Sequence, residues 1–358
     1  MWLQKCLQEH RESCPRNPAT ALLPSRVIDV GPAEGFQAPY IHVSKANETG
    51  EWAILSHCWG QKIGYVTTSA NLHSGLGSLQ HDALPATIND AIKITRDMGL
   101  RYLWVDSICI VQGSDIEAHA DWMVESSRMR DYYKNSVVCI AIDDAASDEE
   151  GFLGHTRPAE VRIPVSTQYC PQDTDAPSTL YIGTDIAHWT SMMDYRPILS
   201  SRGWTLQEEV LTPRTLHFTA KQLVWECQRH QSYESNMTAQ SWPMNDSFHE
   251  MPKRYFLVPD FGRNYILSSD YPFIAKVLDP GDRWISMVIN YTKRSLTVQS
   301  DWLVAIGGLA QELQAQSGYN YCAGIWAEDI HRGLLWRLYG LGQTPKSYIA
   351  PSWSWAAL

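Results

Sequence analysis

The chain has 358 residues and a formal net charge of −10, with 44% hydrophobic and 19% charged residues. These values fit a folded globular protein and exclude a disordered one. An acidic chain with scattered Lys and Arg is not expected to bind nucleic acid. Because no apolar run approaches the ~20 residues that cross a bilayer, and the N-terminus lacks the apolar stretch of a secretory signal, we predict neither a membrane span nor secretion.

Residues 1–24 predict an N-terminal helix and a linker, and residues 25–228 carry the pattern of an α/β domain. Strands are predicted where short apolar runs lie between turn residues, and helices where apolar residues recur every three or four positions. The predicted elements are the strands Leu23–Val30, Tyr40–Ser44 and Trp52–Ser56, the helix Pro85–Gly99, the strand Tyr102–Ile110, the helix Asp121–Lys134 and the strand Ser136–Ile142. Strands that alternate with helices over short links predict a mainly parallel sheet.

The second half of the chain is less regular. Residues 151–200 are rich in Pro, Thr and Asp and predict an insertion into the α/β domain. Residues 229–358 predict a helical and irregular region packed on the core, with helices near Trp284–Tyr291 and Asp301–Gln314. The last residues, Pro351–Leu358, form a strand-like run, which leaves open whether the natural chain continues.

Cysteine and tryptophan usage indicates the compartment and the kind of core. Eight cysteines at irregular spacing predict reduced thiols in a cytoplasmic protein. Fifteen tryptophans predict an aromatic core, with a minority of them lining a pocket. The expected partner is a small-molecule substrate, with a protein partner or self-association left open.

Three reactive side chains, Ser56, His57 and Cys58, follow one another where a buried strand ends. Ligands commonly bind at the carboxyl ends of strands in open α/β sheets, so this segment predicts part of a site. Side chains alternate along a strand, which places Ser56 and Cys58 on one side and His57 on the other. Ser56 and His57 therefore make a poor nucleophile–base pair. His57 and Cys58 are candidate catalytic residues, and Ser56 is a candidate ligand contact.

Asp106 and Gln112 lie within and after the next apolar segment. Buried carboxylates are uncommon unless they are paired, so Asp106 either caps a turn or lines a cleft. Gln112 is a candidate hydrogen-bond donor to a ligand.

Two glutamates are candidate catalytic carboxylates. Glu125 shares a helix face with Asp121 and Met129, where burial would raise its pKa. Glu208 follows Arg202 and Trp204 at the start of a predicted helix. Arg202 is suited to hold a phosphate or carboxylate, and Trp204 to stack on a flat ring. The alternative is an internal salt bridge from Arg202 to Asp106 or Glu208.

The N-terminal helix contains one partial metal-binding pattern, Cys6-x3-His10-x3-Cys14. This spacing aligns three ligand types on one helix face, but a structural zinc site takes four ligands. His57 or Cys58 could add a fourth ligand, although nothing in the sequence indicates it. We therefore predict no metal site.

Three blocks of the sequence occur in a recognisable order. They are Leu55-Ser-His-Cys-Trp-Gly60, then Leu103-Trp-Val-Asp-Ser-Ile-Cys-Ile-Val-Gln112, then Ser201-Arg-Gly-Trp-Thr-Leu-Gln-Glu-Glu-Val-Leu-Thr-Pro-Arg214 followed by Leu223-Val-Trp-Glu-Cys227. Together they resemble the fungal heterokaryon incompatibility (HET) domain, and the closing Pro351-Ser-Trp-Ser-Trp355 looks like HET proteins as well. The resemblance covers nearly the whole chain.

This resemblance implies a fold similar to TIR domains, some of which hydrolyse NAD, and a role in non-self recognition and programmed cell death. It makes NAD a possible substrate and Glu208 or Glu125 the carboxylate that supports breakage of the nicotinamide–ribose bond. No cofactor is predicted with certainty. The first alternative is a HET-like biosynthetic enzyme, a cyclase or pericyclase that holds a hydrophobic substrate in a Trp- and Tyr-lined pocket. The second is a non-catalytic interaction module with an exposed apolar patch.

Overall fold

The computed structural model describes residues 1–11, 14, 21–32, 37–61, 64–154, 162–166, 179–183, 197–234, 240–241, 253, 279–338 and 347–357. Most of the predicted insertion at 151–200, and most of the chain between 235 and 278, lies outside these residues. Within them, no helix has both the length and the apolar character needed to cross a membrane.

Most of the strands belong to one large mixed sheet. In chain order the strands are β1 (Arg26–Asp29), β2 (Tyr40–Val43), β3 (Trp52–Ser56), β4 (Tyr102–Trp104), β5 (Val138–Ile142), β6 (Arg162–Ser166), β7 (Thr179–Gly183), β8 (Arg214–Phe218), β9 (Leu223–Cys227), β10 (His230–Tyr233), β11 (Gln240–Ser241), β12 (Tyr321–Cys322) and β13 (Ile325–Trp326). Nine of them form the sheet in the order β11-β10-β9-β8-β5-β3-β4-β1-β2, while β6 pairs with β7 and β12 with β13.

The centre of the large sheet is parallel and both of its sides are antiparallel. Strands β4, β3, β5 and β8 are parallel neighbours, whereas β1 and β2 on one side and β9, β10 and β11 on the other pair antiparallel. The α/β class is therefore confirmed, and the parallel arrangement holds for the four central strands. Their apolar sequences suit strands that are covered on both faces.

Helices flank the sheet and continue into the C-terminal region. They are α1 (Trp2–Glu9), α2 (Leu72–Gly77), α3 (Ala86–Asp97), α4 (Asp106–Cys109), α5 (Ile116–Lys134), α6 (Thr205–Leu211), α7 (Pro280–Tyr291), α8 (Trp302–Ala305), α9 (Gly307–Ser317) and α10 (Ile330–Gly333). Helix α5 begins earlier than predicted because the Asp115 side chain accepts a hydrogen bond from the Ala118 backbone N–H and caps the first turn.

Two predicted strands are wrong. The run Tyr102–Ile110 is a strand only as far as Trp104, and Asp106–Cys109 is a short helix. The Asp106 carboxylate accepts a hydrogen bond from the Ser107 backbone N–H at 2.8 Å, a local bond that favours a turn over a continued strand. The final run is not a strand either, because Trp355–Ala357 forms a 3₁₀ turn.

The core is rich in tryptophan and runs continuously from the sheet into the C-terminal helices. Trp52, Trp104 and Trp225 are fully buried in the sheet, and Trp326 is fully buried in β13. Trp284 of α7 packs edge-to-face on Trp326 with ring centroids 5.4 Å apart. Aromatic pairs of this geometry add to the stability gained by burial.

Helix α9 approaches α6 closely at Gly308. The Gly308 backbone N–H donates to Gln207 Oε1 at 3.0 Å, and a Cβ at this position would lie 2.8 Å from Gln207 Cδ and 3.0 Å from Arg130 Cβ. We expect Gly308→Ala to lower the free energy of unfolding by about 1–3 kcal/mol through overpacking. The matched control is Gly307→Ala, where the new methyl meets nothing within 4 Å and helix propensity adds up to about 1 kcal/mol. Urea denaturation of both variants checks the contrast, and equal stabilities would refute the packing argument.

Candidate functional site

The carboxyl ends of the parallel strands bring three polar residues to one edge of the sheet. Ser56 ends β3, Asp106 follows β4 after one intervening residue, and Asp143 directly follows β5. Strands β4, β3 and β5 are consecutive neighbours, so these residues lie side by side. In open α/β sheets this edge is the usual place for a ligand.

A buried carboxyl group, Glu208 of α6, lies at this edge. Ser56 Oγ donates a hydrogen bond to Glu208 Oε2, and the Tyr133 hydroxyl at the end of α5 is a second hydrogen-bond partner. Only 7% of Glu208 is exposed. The pKa of Glu208 is raised to about 7, mainly by burial and also by the charge of Asp106, while Ser56, Arg202 and Tyr133 oppose the shift. Near neutral pH this carboxyl group therefore changes its charge, a property more common at functional sites than elsewhere.

His57 and Cys58 are both buried and uncharged. Burial lowers the pKa of His57 to about 4, with Arg202 lowering it and Asp106 opposing. Among the described residues, His57 Nε2 has no hydrogen-bond partner. Burial also raises the pKa of the Cys58 thiol, against the influence of Arg202. A neutral thiol is a weak nucleophile, and Ser56 is bonded to Glu208 rather than to His57, so the geometry favours carboxylate chemistry.

Asp106 binds a backbone N–H of a turn, which is one of the two roles that the sequence left open. Its oxygens accept hydrogen bonds from the indole Nε1 of Trp59, both at 3.1 Å, and one of them also accepts the Ser107 backbone N–H. It thus accepts a backbone N–H in the first turn of α4 while remaining half-buried at the sheet edge. Gln112 is used structurally, because its Nε2 donates to the Ile110 carbonyl at 3.1 Å and the Asp106 carbonyl at 3.3 Å.

Arg202 connects the segment that precedes α6 to the segment that follows β3. Its Nη1 donates to the His57 carbonyl at 2.7 Å. In the described part of the chain, Arg202 forms no ion pair with Asp106 or Glu208. Arg202 is also a hydrogen-bond partner of the Cys58 thiol, and it lies half-buried where its charge acts on Glu208. Trp204, by contrast, is hydrogen-bonded to Asp301 of the C-terminal region.

Glu125 is buried, but it has different neighbours. Its Oε2 accepts a hydrogen bond from the Tyr132 hydroxyl at 2.8 Å, and its Oε1 lies 3.9 Å from Arg128 Nη1. Asp121, on the same helix face, is bound by Arg26. The structure thus brings Ser56, Asp106, Arg202 and Glu208 together and leaves Glu125 outside this group.

Three neighbours of the site were missed by sequence reasoning, namely Trp59, Tyr133 and Asp148. Asp148 is 2% exposed, and its Oδ1 has no hydrogen-bond partner among the described residues. Burial raises the pKa of Asp148 to about 6. Its position in the loop that follows β5 is a usable signal, since loops after central parallel strands form ligand sites. Tyr133 gave no comparable signal, because its contact with Glu208 depends on how α5 and α6 pack.

A second group of titratable residues connects strand β8 to its neighbours. His217 Nδ1 lies 3.1 Å from Asp143 Oδ2, and His217 Nε2 lies 3.1 Å from Glu226 Oε2. Burial opposes the imidazolium, but Asp143 and Glu226 outweigh that effect and raise the pKa of His217 to about 10. The charged His217 therefore links β5, β8 and β9 beside the site.

The sequence model of the heterokaryon incompatibility protein (HET) family matches residues 52–208. The chain carries a HET domain. This confirms the family resemblance over residues 52–208, and Ser56, Asp106, Tyr133, Arg202 and Glu208 all lie within the matched segment, with Glu208 as its last residue. No curated protein and no solved structure matches the chain significantly.

Proposed function

We propose that this HET domain hydrolyses NAD in an incompatibility response that leads to cell death, with Glu208 at the reacting centre. The observation that carries the proposal is the buried Glu208 carboxyl at the edge of the parallel strands, oriented by Ser56 and Tyr133. The bond between nicotinamide N1 and ribose C1′ breaks, and its electron pair leaves with nicotinamide. Water adds to C1′ and loses a proton, which gives nicotinamide and ADP-ribose.

Glu208 acts in this reaction as a carboxylate. Breakage of the glycosidic bond develops positive charge at C1′, and a neighbouring anion stabilises that transition state. Hydrogen bonds from Ser56 and Tyr133 fix the carboxylate before the substrate arrives, so little reorganisation is needed during the reaction. The same hydrogen bonds favour the ionised form over the protonated one.

The charges around Glu208 suit the two ends of NAD. The nicotinamide ring of NAD is cationic; Asp106 adds negative charge near Glu208, and Asp148 lies close enough to Asp106 to interact with it. Arg202 supplies guanidinium donors that fit the diphosphate group. Trp59, held by Asp106 and half-buried, presents a flat ring on which a base can stack.

Two further parts of the proposal concern the fold and the location of the reaction, and the first rests on analogy with TIR-type enzymes. A glutamate on a helix beside the edge of a parallel sheet is similar to their arrangement, and we extend that similarity to the fold of the central strands. We also place the reaction in the cytoplasm, where the substrate would be a soluble small molecule. Both parts depend on NAD turnover being observed.

The pH dependence of turnover tests the role of Glu208. Because the ionised form is required and the pKa of Glu208 is about 7, we expect kcat/KM for nicotinamide release to rise through about pH 7 and then level off. Bound NAD brings a positive charge that favours the carboxylate, so the midpoint of the kcat profile should lie at lower pH than that of kcat/KM. Rates that fall as the pH rises through this range would contradict the role.

A further inference from the structure

Four potential metal ligands meet between the N-terminus and the large sheet. They are Cys6, His10, Cys14 and Cys227, and their ligand atoms all lie within 4.8 Å of one another. The three cysteines are buried, and His10 is half-buried. This cluster takes no part in the proposed reaction.

Local structure and sheet register together assemble the cluster. Cys6 and His10 are one helical turn apart at the end of α1, and the Cys14 backbone N–H donates to the His10 carbonyl at 2.7 Å, which brings Cys14 back to the same side. Cys227 ends β9 and is the cross-strand partner of Arg214 in β8. The fourth ligand therefore comes from a part of the sequence more than 200 residues away.

The spacing fits a tetrahedral zinc ion. With Zn–S of about 2.3 Å and Zn–N of about 2.0–2.1 Å at tetrahedral angles, a sulfur and a nitrogen ligand lie about 3.6 Å apart. The distance from Cys227 Sγ to His10 Nδ1 is 3.7 Å. Four protein ligands fill the coordination sphere, as in structural rather than catalytic zinc sites.

Arg214 supplies a matching second layer of contacts. It is fully buried, its Nε donates to Cys6 Sγ at 3.2 Å, and its Nη2 donates to the Cys14 carbonyl. Zinc with three thiolates and a neutral imidazole carries one net negative charge, which one adjacent guanidinium balances. Hydrogen bonds of this kind orient metal ligands and stabilise thiolates.

We propose that Cys6, His10, Cys14 and Cys227 bind a structural zinc ion that joins helix α1 to the β8–β9 hairpin. The expectation that the chain has no metal site missed Cys227, and neither His57 nor Cys58 belongs to the cluster. A disulfide uses two sulfurs and would leave the third cysteine and His10 without a role. The zinc site does not depend on NAD cleavage.

Metal analysis of the full-length protein, purified with a reductant and without chelator, tests the proposal. We expect one equivalent of zinc per chain. Replacement by cobalt should give the visible bands of a tetrahedral Co²⁺ ion and a thiolate-to-cobalt charge-transfer band. Protein with no bound zinc after incubation with zinc chloride, or a native disulfide within the cluster, would overturn the proposal.

Variants then assign the ligands. Cys227→Ser should weaken zinc binding more than about 100-fold, because even the loss of second-layer contacts costs about 10–100-fold. The matched control is Cys322→Ser, which alters a half-buried cysteine outside the cluster and should retain zinc. If Cys227→Ser fails to fold, His10→Cys keeps a four-ligand set and should retain zinc with a stronger charge-transfer band. Zinc retained by Cys227→Ser, or an unchanged cobalt spectrum in His10→Cys, would refute the assignment.

Discussion

Glu208→Gln is expected to slow nicotinamide release about 10²–10³-fold and to make the protein more stable above pH 7. Burial raises the pKa of Glu208 from an ordinary value of 4.5 to about 7. A carboxyl group shifted in this direction stabilises the fold fully below pH 4.5, and this contribution is lost as the pH rises through 7. Glutamine carries no charge at any pH, so it removes the cost of ionising a buried group while it removes the reacting carboxylate.

The size of the stability gain follows from the pKa shift. At about 1.4 kcal/mol per pKa unit, the ionisation cost at pH 8 is at most about 3 kcal/mol. Altered hydrogen bonds to Ser56 and Tyr133 offset part of this gain, so we expect about 1–2 kcal/mol. Urea denaturation of both proteins at pH 5 and pH 8 measures it. A variant that is less stable by the same amount at both pH values would show that Glu208 has a structural role only.

Arg294→Met is expected to lower the free energy of unfolding by up to about 3–5 kcal/mol, the second large effect, because it leaves the half-buried carboxylate of Glu209 without its partner. The Arg294 side chain is 2% exposed, and its Nη2 lies 2.8 Å from Glu209 Oε2. Arg294 Nη1 also donates to Thr205 Oγ1 at 2.9 Å. Burial opposes the ionisation of Glu209, but Arg294 holds the pKa of Glu209 below its usual value. This pair joins the end of the HET domain to the C-terminal region.

Denaturant unfolding with two further variants checks the ion pair. Arg294→Met combined with Glu209→Gln should recover part of the loss, because the stranded charge is gone. Lys93→Met serves as the control, since Lys93 and Asp97 form an exposed pair at 2.9 Å and such pairs contribute about 1 kcal/mol or less. A similarly small cost for Arg294→Met would show that the C-terminal region is held by apolar packing alone.

Sequence patterns predicted the central strands better than the points where a strand gives way to a turn. The central strands are apolar runs with clear ends, and Trp52–Ser56 was predicted to the residue. The strand predicted over Tyr102–Ile110 failed after Trp104 because an apolar run fits a buried helical turn as well as a strand. In that run the Asp106 carboxylate accepts a hydrogen bond from the Ser107 backbone N–H, which favours a turn over a continued strand.

The sites could be predicted only where their residues are close in sequence. The Cys6-x3-His10-x3-Cys14 spacing showed three of the ligands, but Cys227 is 217 residues from His10 and reaches it through the pairing of β8 with β9. Ser56 and Glu208 are 152 residues apart and meet only because α6 packs on the strand edge. No pattern within a single segment contains either contact.

Nicotinamide release from NAD by the purified protein, measured beside Glu208→Gln and Glu125→Gln, tests the central claim most directly. Glu125 is the matched control because it is also buried and also accepts a tyrosine hydroxyl, but it lies outside the Glu208 group. We predict equal amounts of nicotinamide and ADP-ribose from the wild type, a loss of about 10²–10³-fold in Glu208→Gln, and retained turnover in Glu125→Gln. No release by the wild type, or equal rates in Glu208→Gln, would contradict the account and favour the biosynthetic enzyme or the interaction module.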